Sequence, residues 1–350
     1  MRYNELGRTG LYVSEICLGT MTFGGSGGIW GAIGQLDQAG VDVLLAESIG
    51  AGVNFVDTAD IYAEGRSEQL LGQSIRNLSI ARKDIVIASK FYGATGTAPN
   101  DRGASRAHII DAVAASLRRM QIEYIDLYQI HGFDPVTPFE ETFRALEDLV
   151  QRGLVRYLGC SNWPAWQIMK ALGVCERHDW ARLHSMQAYY SLVGRDIEHE
   201  IVPMVRDQGM GLMIWSPLAA GLLSGKYSAG AAAEQAGRRA AWDFPPVDAD
   251  RASRCIAAMR PLAEHMGVSV ACIALAWLLS KSHVTSVIIG AKNVSQLKDN
   301  LAAANVKLTA EHLSALDAVS SVTPIYPSWM LDMWAARRRP APFVRAVANK

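Results

Sequence analysis

Short apolar runs that end in a polar or aromatic residue recur along the chain, and the stretches between them carry apolar positions at three- and four-residue spacing. Runs of the first kind are Ile16-Cys17-Leu18 leading into Gly19-Thr20-Met21, Phe55-Val56 leading into Asp57, Ile85 to Lys90, Tyr124 to His131, Val155 to Ser161, Leu183 to Gln187, Gly211 to Ser216 and Ser286 to Gly290. Continuous apolar runs of this length read as strands buried on both faces. The intervening stretches predict helices over Val41–Gly52, Ser67–Leu78, Ser105–Met120, Phe139–Gln151, Trp166–Leu172, Asp196–Gln208, Ala252–His265, Ser269–Leu279 and Ser295–Ala304. Within Ser105–Met120, for example, Ile110, Val113, Ala114 and Leu117 share one face. Eight strands alternating with helices predict an α/β fold with a parallel sheet closed into a (β/α)8 TIM barrel. A doubly wound open sheet is the alternative. It needs a G-x-G-x-x-G turn after its first strand, and Gly24-Gly25-Ser26-Gly27-Gly28 lacks that spacing. Ahead of the alternation, two short segments between Tyr3 and Val13 flank Gly7-Arg8-Thr9-Gly10 and predict a β-hairpin capping one end of the barrel.

Two long segments, Gly24–Gly40 and Lys226–Asp250, interrupt the alternation and are expected to be lids or binding loops. No repeat or low-complexity linker divides the chain, so residues 1–350 read as one domain, with 318–350 as a C-terminal tail. Half the residues are apolar, and Lys+Arg equals Asp+Glu at 34 each, which gives no global attraction to nucleic acid or membrane. The basic end of the tail (Arg337, Arg338, Arg339, Arg345, Lys350) reads as a solvated face. The five cysteines are scattered without a CxxC pair and read as small core residues. The polar N-terminus does not resemble a signal peptide, and the longest apolar run, Ala271–Leu279, is about half a membrane span. These features lead us to expect a cytoplasmic protein.

Reading only the strand ends collects Thr20, Asp57, Lys90, His131, Ser161-Asn162, Gln187, Trp215-Ser216 and Gly290 to Lys292. In a β/α barrel these ends converge on one face, where the active sites of this fold lie. A buried aspartate and a buried lysine on neighbouring strands need one another. Their ion pair, placed against Tyr62, would stabilise its phenolate and lower its pKa from about 10. Such a tyrosine exchanges a proton with a carbonyl oxygen, while His131 can donate a hydrogen bond to the same oxygen. Since no side chain carries hydride, a nicotinamide cofactor is implied. A metal-dependent hydrolase built on Asp57, His131 and Asp134 is disfavoured, because His108 and His184 are too scattered to complete a ligand set.

Asp57, Tyr62, Lys90 and His131, in this order and on these strand ends, resemble the catalytic tetrad of the aldo-keto reductases. Asp126 to His131, Gly159-Cys160-Ser161-Asn162, Trp215-Ser216-Pro217-Leu218 and Gly221 to Lys226 extend the likeness over roughly Leu6 to Leu316. The branch most alike holds bacterial reductases and potassium-channel β subunits. What the resemblance implies is a site for NADP, with NAD not excluded. Ser161, Asn162 and Gln187 match positions that hold the nicotinamide carboxamide, and Trp215 matches the aromatic that stacks on its ring. Thr20 and Met21 lie beside the ribose. Ser216, Pro217, Leu218, Gly221 and Lys226 match the loop over the pyrophosphate, and Gly290, Lys292, Gln296, Asp299 and Asn300 match the adenosine end. Lys292 stands where relatives meet the 2′-phosphate, which favours NADP. Trp30, Phe91, Tyr92, Trp163 and Met21 are candidates for an apolar wall around a carbonyl or alcohol substrate. Trp329 and Trp334 either reach the barrel mouth or anchor the tail. The resemblance leaves self-association open. It also keeps a second function in view: a cofactor-binding regulatory or redox-sensor subunit with little turnover. Against it, His131 stands where the channel subunits carry asparagine.

Overall fold

A computed structural model describes residues 1–225, 239 and 242–338. Eight parallel strands form a closed barrel in the order β10-β3-β4-β5-β6-β7-β8-β9: β3 (Ile16–Gly19), β4 (Phe55–Asp57), β5 (Val86–Phe91), β6 (Ile125–Ile130), β7 (Val155–Ser161), β8 (Leu183–Tyr189), β9 (Gly211–Trp215) and β10 (Ser286–Ile289). The hairpin of β1 (Tyr3–Glu5) and β2 (Tyr12–Ser14) pairs antiparallel, with Tyr3 opposite Ser14. It places Leu6 and Val13 under the barrel floor.

Because side chains alternate along a strand, the barrel has two separate cores. The outward positions pack against the helices in one large cluster. The inward cluster is smaller and holds Cys17, Phe55, Val86, Ala88, Leu127, Met213 and Ile288 above Leu6 and Val13. Two residues further along the same inward rows stand Gly19, Asp57, Lys90, Gln129, Trp215 and Gly290. The interior is therefore apolar at the floor and polar at the mouth, where Asp57, Lys90 and Gln129 end their inward rows. Gly159 is required on this path: a Cβ there would lie 2.6 Å from Ser185 Oγ and 3.1 Å from Gln129 Cγ.

The helices lie close to the ranges predicted, with three differences. The helix predicted over Trp166–Leu172 spans Ala165–His178 and runs through Gly173. Burial of Val174 and Cys175 outweighs the glycine, whose cost in a helix is about 1 kcal/mol. Asp196–Gln208 is a short 3-10 turn, Asp196–Glu198, followed by helix Ile201–Gln208. Pro203 fits there in the first helical turn, where its missing N–H has no carbonyl to reach. The segment Gly24–Gly40 contains helix α1 (Gly28–Ile33) and the start of α2 (Gln38–Gly50). Two further helices, Ala310–Val319 and Ser328–Arg338, follow the barrel, and the second leaves Trp329 and Trp334 about half exposed. Most of the segment 226–250 lies outside the described residues.

All five cysteines are buried and free. No single helix among the described residues is long and apolar enough to cross a membrane.

Candidate active site

The polar mouth is organised around a buried charge. Lys90, at the end of β5, has no solvent-exposed surface. Its Nζ donates to Asp57 Oδ1 at 2.5 Å, to the Thr58 carbonyl at 2.9 Å and to Tyr62 Oη at 3.2 Å. Burial opposes the ammonium charge, yet the Asp57 carboxylate and the Tyr62 hydroxyl more than offset it and hold the Lys90 pKa above the usual amine value. The second Asp57 oxygen accepts from Gln129 Nε2 at 3.0 Å and from Gln187 Nε2 at 2.9 Å. With both oxygens engaged in this way, Asp57 serves as the fixed counter-ion of Lys90.

Tyr62 opens the turn above β4. His131 stands beside it, its ring centroid 5.9 Å from that of Tyr62 in an edge-on arrangement. Burial first, and then the Lys90 charge, push the His131 pKa down to about 3, so this imidazole is neutral at physiological pH. Its Nδ1 is buried and makes no hydrogen bond among the described residues. Trp30, on α1, sits on another side of Tyr62 with ring centroids 6.0 Å apart. Tyr92 has φ 121°, and a Cβ on Gly132 would lie 2.9 Å from its ring, so the tyrosine lies close over the residue after His131.

Asn162, in the left-handed region with φ 63°, joins two parts of the mouth. Its Nδ2 donates to the His131 carbonyl at 3.0 Å, and its Oδ1 accepts from Trp215 Nε1 at 3.0 Å. Trp215 is partly exposed and stacks on Phe244 with centroids 5.7 Å apart. Ser161 Oγ donates to the Gln187 carbonyl at 3.0 Å. Beyond Trp215 the chain turns tightly through Ser216, Pro217 and Leu218, with Ser216, Ala219, Ala220 and Gly221 all at positive φ. Lys226 lies outside the described residues. Thr20 is buried, its hydroxyl accepting from Ser67 Oγ at 2.7 Å, and Met21 is partly exposed next to it.

At the far end of the mouth, Gly290 is exposed and its carbonyl accepts from Asn300 Nδ2 at 3.1 Å. The Lys292 backbone N–H donates to Gln296 Oε1 at 2.9 Å, and Lys292 Nζ reaches across to the Ala32 carbonyl on α1 at 3.1 Å. Asp299 accepts from Ser269 Oγ at 2.8 Å.

Two residues expected beside the substrate are placed elsewhere. Phe91 is the last residue of β5 and faces outward, stacked on Tyr128 at 4.9 Å. Trp163 is 4% exposed and held edge-on by Phe133 and Phe139. Both belong to the core between barrel and helices. Asp134 accepts from the backbone N–H groups of Ala104 and Val136 and from the Thr137 hydroxyl, so it fastens two loops together.

Sequence reasoning missed Gln129. The signal was available: it lies two residues after Leu127 in one strand, hence on the same inward row. It also missed a cluster just behind the Tyr62 turn. There Glu68 accepts from Ser89 Oγ at 2.6 Å and from Arg119 Nε at 2.6 Å. Asp60 is buried alongside, and neither of its carboxyl oxygens completes a hydrogen bond among the described residues. Burial, then the Glu68 charge, push its pKa up to about 8 against the opposing pull of Arg119 and Lys90.

Residues 15–321 match the model of the Aldo/keto reductase family. The chain is 38% identical over 333 residues to a probable voltage-gated potassium channel subunit beta of Oryza sativa subsp. japonica, covering 93% of this chain and 98% of the relative. It is 38% identical over 336 residues to the protein of the same description from Arabidopsis thaliana, covering 93% and 99%. It is 36% identical over 327 residues to the uncharacterized oxidoreductase YrpG of Bacillus subtilis (strain 168), covering 91% and 96%. A closed eight-stranded barrel with a buried lysine–aspartate pair under a mouth tyrosine, matched across most of its length by these relatives, belongs to the aldo/keto reductase family of oxidoreductases.

Proposed function

We propose that this protein is an NADP-dependent carbonyl reductase or alcohol dehydrogenase in which Tyr62 is the general acid and base. The observation that carries the proposal is the wholly buried Lys90 ammonium, 2.5 Å from Asp57 and 3.2 Å from the Tyr62 hydroxyl. A cation held at that distance favours the phenolate over the phenol and so eases proton release from Tyr62 Oη to a carbonyl oxygen. Asp57, steadied by Gln129 and Gln187, keeps the cation in place. The neutral His131 imidazole donates a hydrogen bond to the same oxygen and fixes its direction without adding a charge of its own.

The residues present suit a nicotinamide dinucleotide. A partly exposed indole, Trp215, borders the same mouth as Tyr62, and a tight turn follows it in which Ser216, Ala219, Ala220 and Gly221 take positive φ. Ser161, Asn162 and Gln187 would hold the nicotinamide end, Thr20 and Met21 the ribose, and Gly290, Lys292, Gln296, Asp299 and Asn300 the adenosine end. When bound, that group supplies or takes up the hydride. Trp30, Tyr92 and Met21 would form the apolar wall of the substrate pocket.

A Tyr62→Phe variant tests the assignment. Turnover of 4-nitrobenzaldehyde with NADPH is expected to fall by more than about 10²-fold, the usual contribution of general acid catalysis. Cofactor binding, followed by quenching of tryptophan fluorescence, is expected to persist. Turnover within about tenfold of the parent would remove Tyr62 from the mechanism.

A cofactor-holding regulatory subunit is the second reading, carried by the descriptions of the two plant relatives. The complete proton-transfer set, His131 included, supports turnover instead. Tight NADPH binding with no turnover across a panel of aldehydes and ketones would reverse that order.

A further inference from the structure

On the outside of the barrel, α3 (Arg66–Asn77) and α4 (Arg106–Met120) lie side by side and, with Gln38 of α2, border a solvent-open groove of about 590 Å³. Arg66, Arg76, Arg118 and Arg119 line it; the rest of its polar lining is glutamine amide, and none of the lining residues is acidic. In a chain whose net charge is zero, this is a concentrated positive patch.

The way the guanidinium groups are held bears on what the groove accepts. Arg66 Nη1 donates to Gln69 Oε1 at 3.2 Å. Arg76 donates to Gln73 Oε1 at 2.9 Å and to the Met120 carbonyl at 3.2 Å. These acceptors are neutral, so they orient the cations without cancelling their charge. Arg118 is exposed and has no carboxylate within ion-pair distance among the described residues. Of the four, only Arg119 has a counter-ion among the described residues, Glu68 at 2.6 Å. Asp42 stands behind Gln38, outside the lining; neutral hydrogen bonds from Gln38, Ser74 and Asn77 keep it ionised, so it moderates the positive field without pairing directly with an arginine of the groove. Arg66, Arg76 and Arg118 therefore line one concavity without an ion-pair partner among the described residues. The volume lies within the range of small-molecule sites, about 300–1,000 Å³. Guanidinium forks match the oxygens of a phosphoryl group two at a time, and a concave wall concentrates their field.

We propose that this groove is a binding site for a small, multiply charged phosphoryl oxyanion, separate from the barrel mouth and independent of the function proposed above. Arg66, Arg76 and Arg118 receive the anion. Arg119 stays with Glu68 and marks the inner wall, where a Cβ on Gly65 would lie 2.7 Å from its Cδ.

Calorimetric titration with inorganic diphosphate at fixed ionic strength tests the proposal, comparing the parent with an Arg66→Gln/Arg118→Gln variant. Binding by the parent with a Kd on the order of 1 mM or tighter is expected, weakened at least about tenfold in the variant, with aldehyde turnover unchanged. Should the double variant fail to fold, Arg118→Gln alone replaces it, since that side chain is exposed and makes no hydrogen bond among the described residues. Co-sedimentation with phosphatidylcholine vesicles, with and without phosphatidic acid, separates the two sources of such a phosphoryl group. Arginine-dependent sedimentation assigns the group to a lipid headgroup, and its absence alongside diphosphate binding assigns it to a soluble compound. No binding of either probe, or binding that survives the substitutions, would overturn the site.

Discussion

At the scale of single residues, two buried ionisable groups near Tyr62 respond to burial in opposite ways. Lys90 stays charged because a carboxylate lies 2.5 Å away and a phenol 3.2 Å away. Asp60 has no such partner among the described residues, and burial together with Glu68 moves its pKa up to about 8. The consequence for stability has a definite sign. In the unfolded chain Asp60 loses its proton near an ordinary pKa of about 4, whereas in the folded protein it keeps the proton to about 8. Its contribution is therefore intact below about pH 4, is lost progressively as pH rises to about 8, and is constant beyond. Asp60→Asn keeps the shape and removes the titration. In urea denaturation the variant is expected to gain about 1–3 kcal/mol over the parent at about pH 8.5, with the difference shrinking or reversing at about pH 4. A parallel pH dependence of the two proteins would show that Asp60 titrates normally.

Elements, rather than residues, decide how closely the two arginine-bearing helices approach. Gly72, in the middle of α3, sits against the last residue of α4: a Cβ there would be 2.1 Å from the Met120 carbonyl oxygen and 2.6 Å from its Cα. Alanine has the better helix propensity, by about 1 kcal/mol, and Gly72 is not at positive φ. The contact is with backbone, which cannot swing aside, and overpacking of this kind costs about 1–3 kcal/mol. The steric term is expected to win. Gly72→Ala should lower the urea midpoint with an unchanged m-value, and a variant as stable as the parent would mean that α3 and α4 can slide apart freely. The strands show the same dependence on close approach at Gly159, where the inward row leaves no room beside Gln129 and Ser185.

For the whole molecule, closure of the barrel is what brings its first and last strands to one side of the mouth. β10 pairs with β3, with Val287 opposite Ile16, and this sets Gly290 and Lys292 beside Thr20 and α1. Lys292 Nζ then reaches the Ala32 carbonyl, 260 residues away in sequence. On our proposal that ammonium meets the 2′-phosphate of NADP. Lys292→Ala is expected to raise the KM for NADPH by about tenfold, the value of one lost charge-assisted contact, and to leave the KM for NADH within about twofold. Equal changes for both cofactors would place Lys292 outside the phosphate site.

How much of this was legible in the sequence follows from the range of the forces involved. The eight apolar runs, the hairpin and most helices are local patterns: a pleat of period two and a helix of period 3.6 assign each residue a face without reference to the rest of the chain. The polar ends at Asp57, Lys90, His131 and Trp215 follow from the same patterns, as does the pairing of Asp57 with Lys90 once neighbouring strands are assumed parallel. Other features needed the closed barrel. Gln187 reaches Asp57 across 130 residues, and Gln129 joins them only because strand register sets it opposite Lys90. Phe91 and Trp163 stand next to mouth residues in sequence, but the alternation of faces and an aromatic cluster turn them into the core. The burial of Asp60 and the arginine groove between α3 and α4 likewise depend on which helix packs beside which. Local periodicity chose the elements and most of their chemistry; closure and register, which act between residues far apart in the chain, chose the partners.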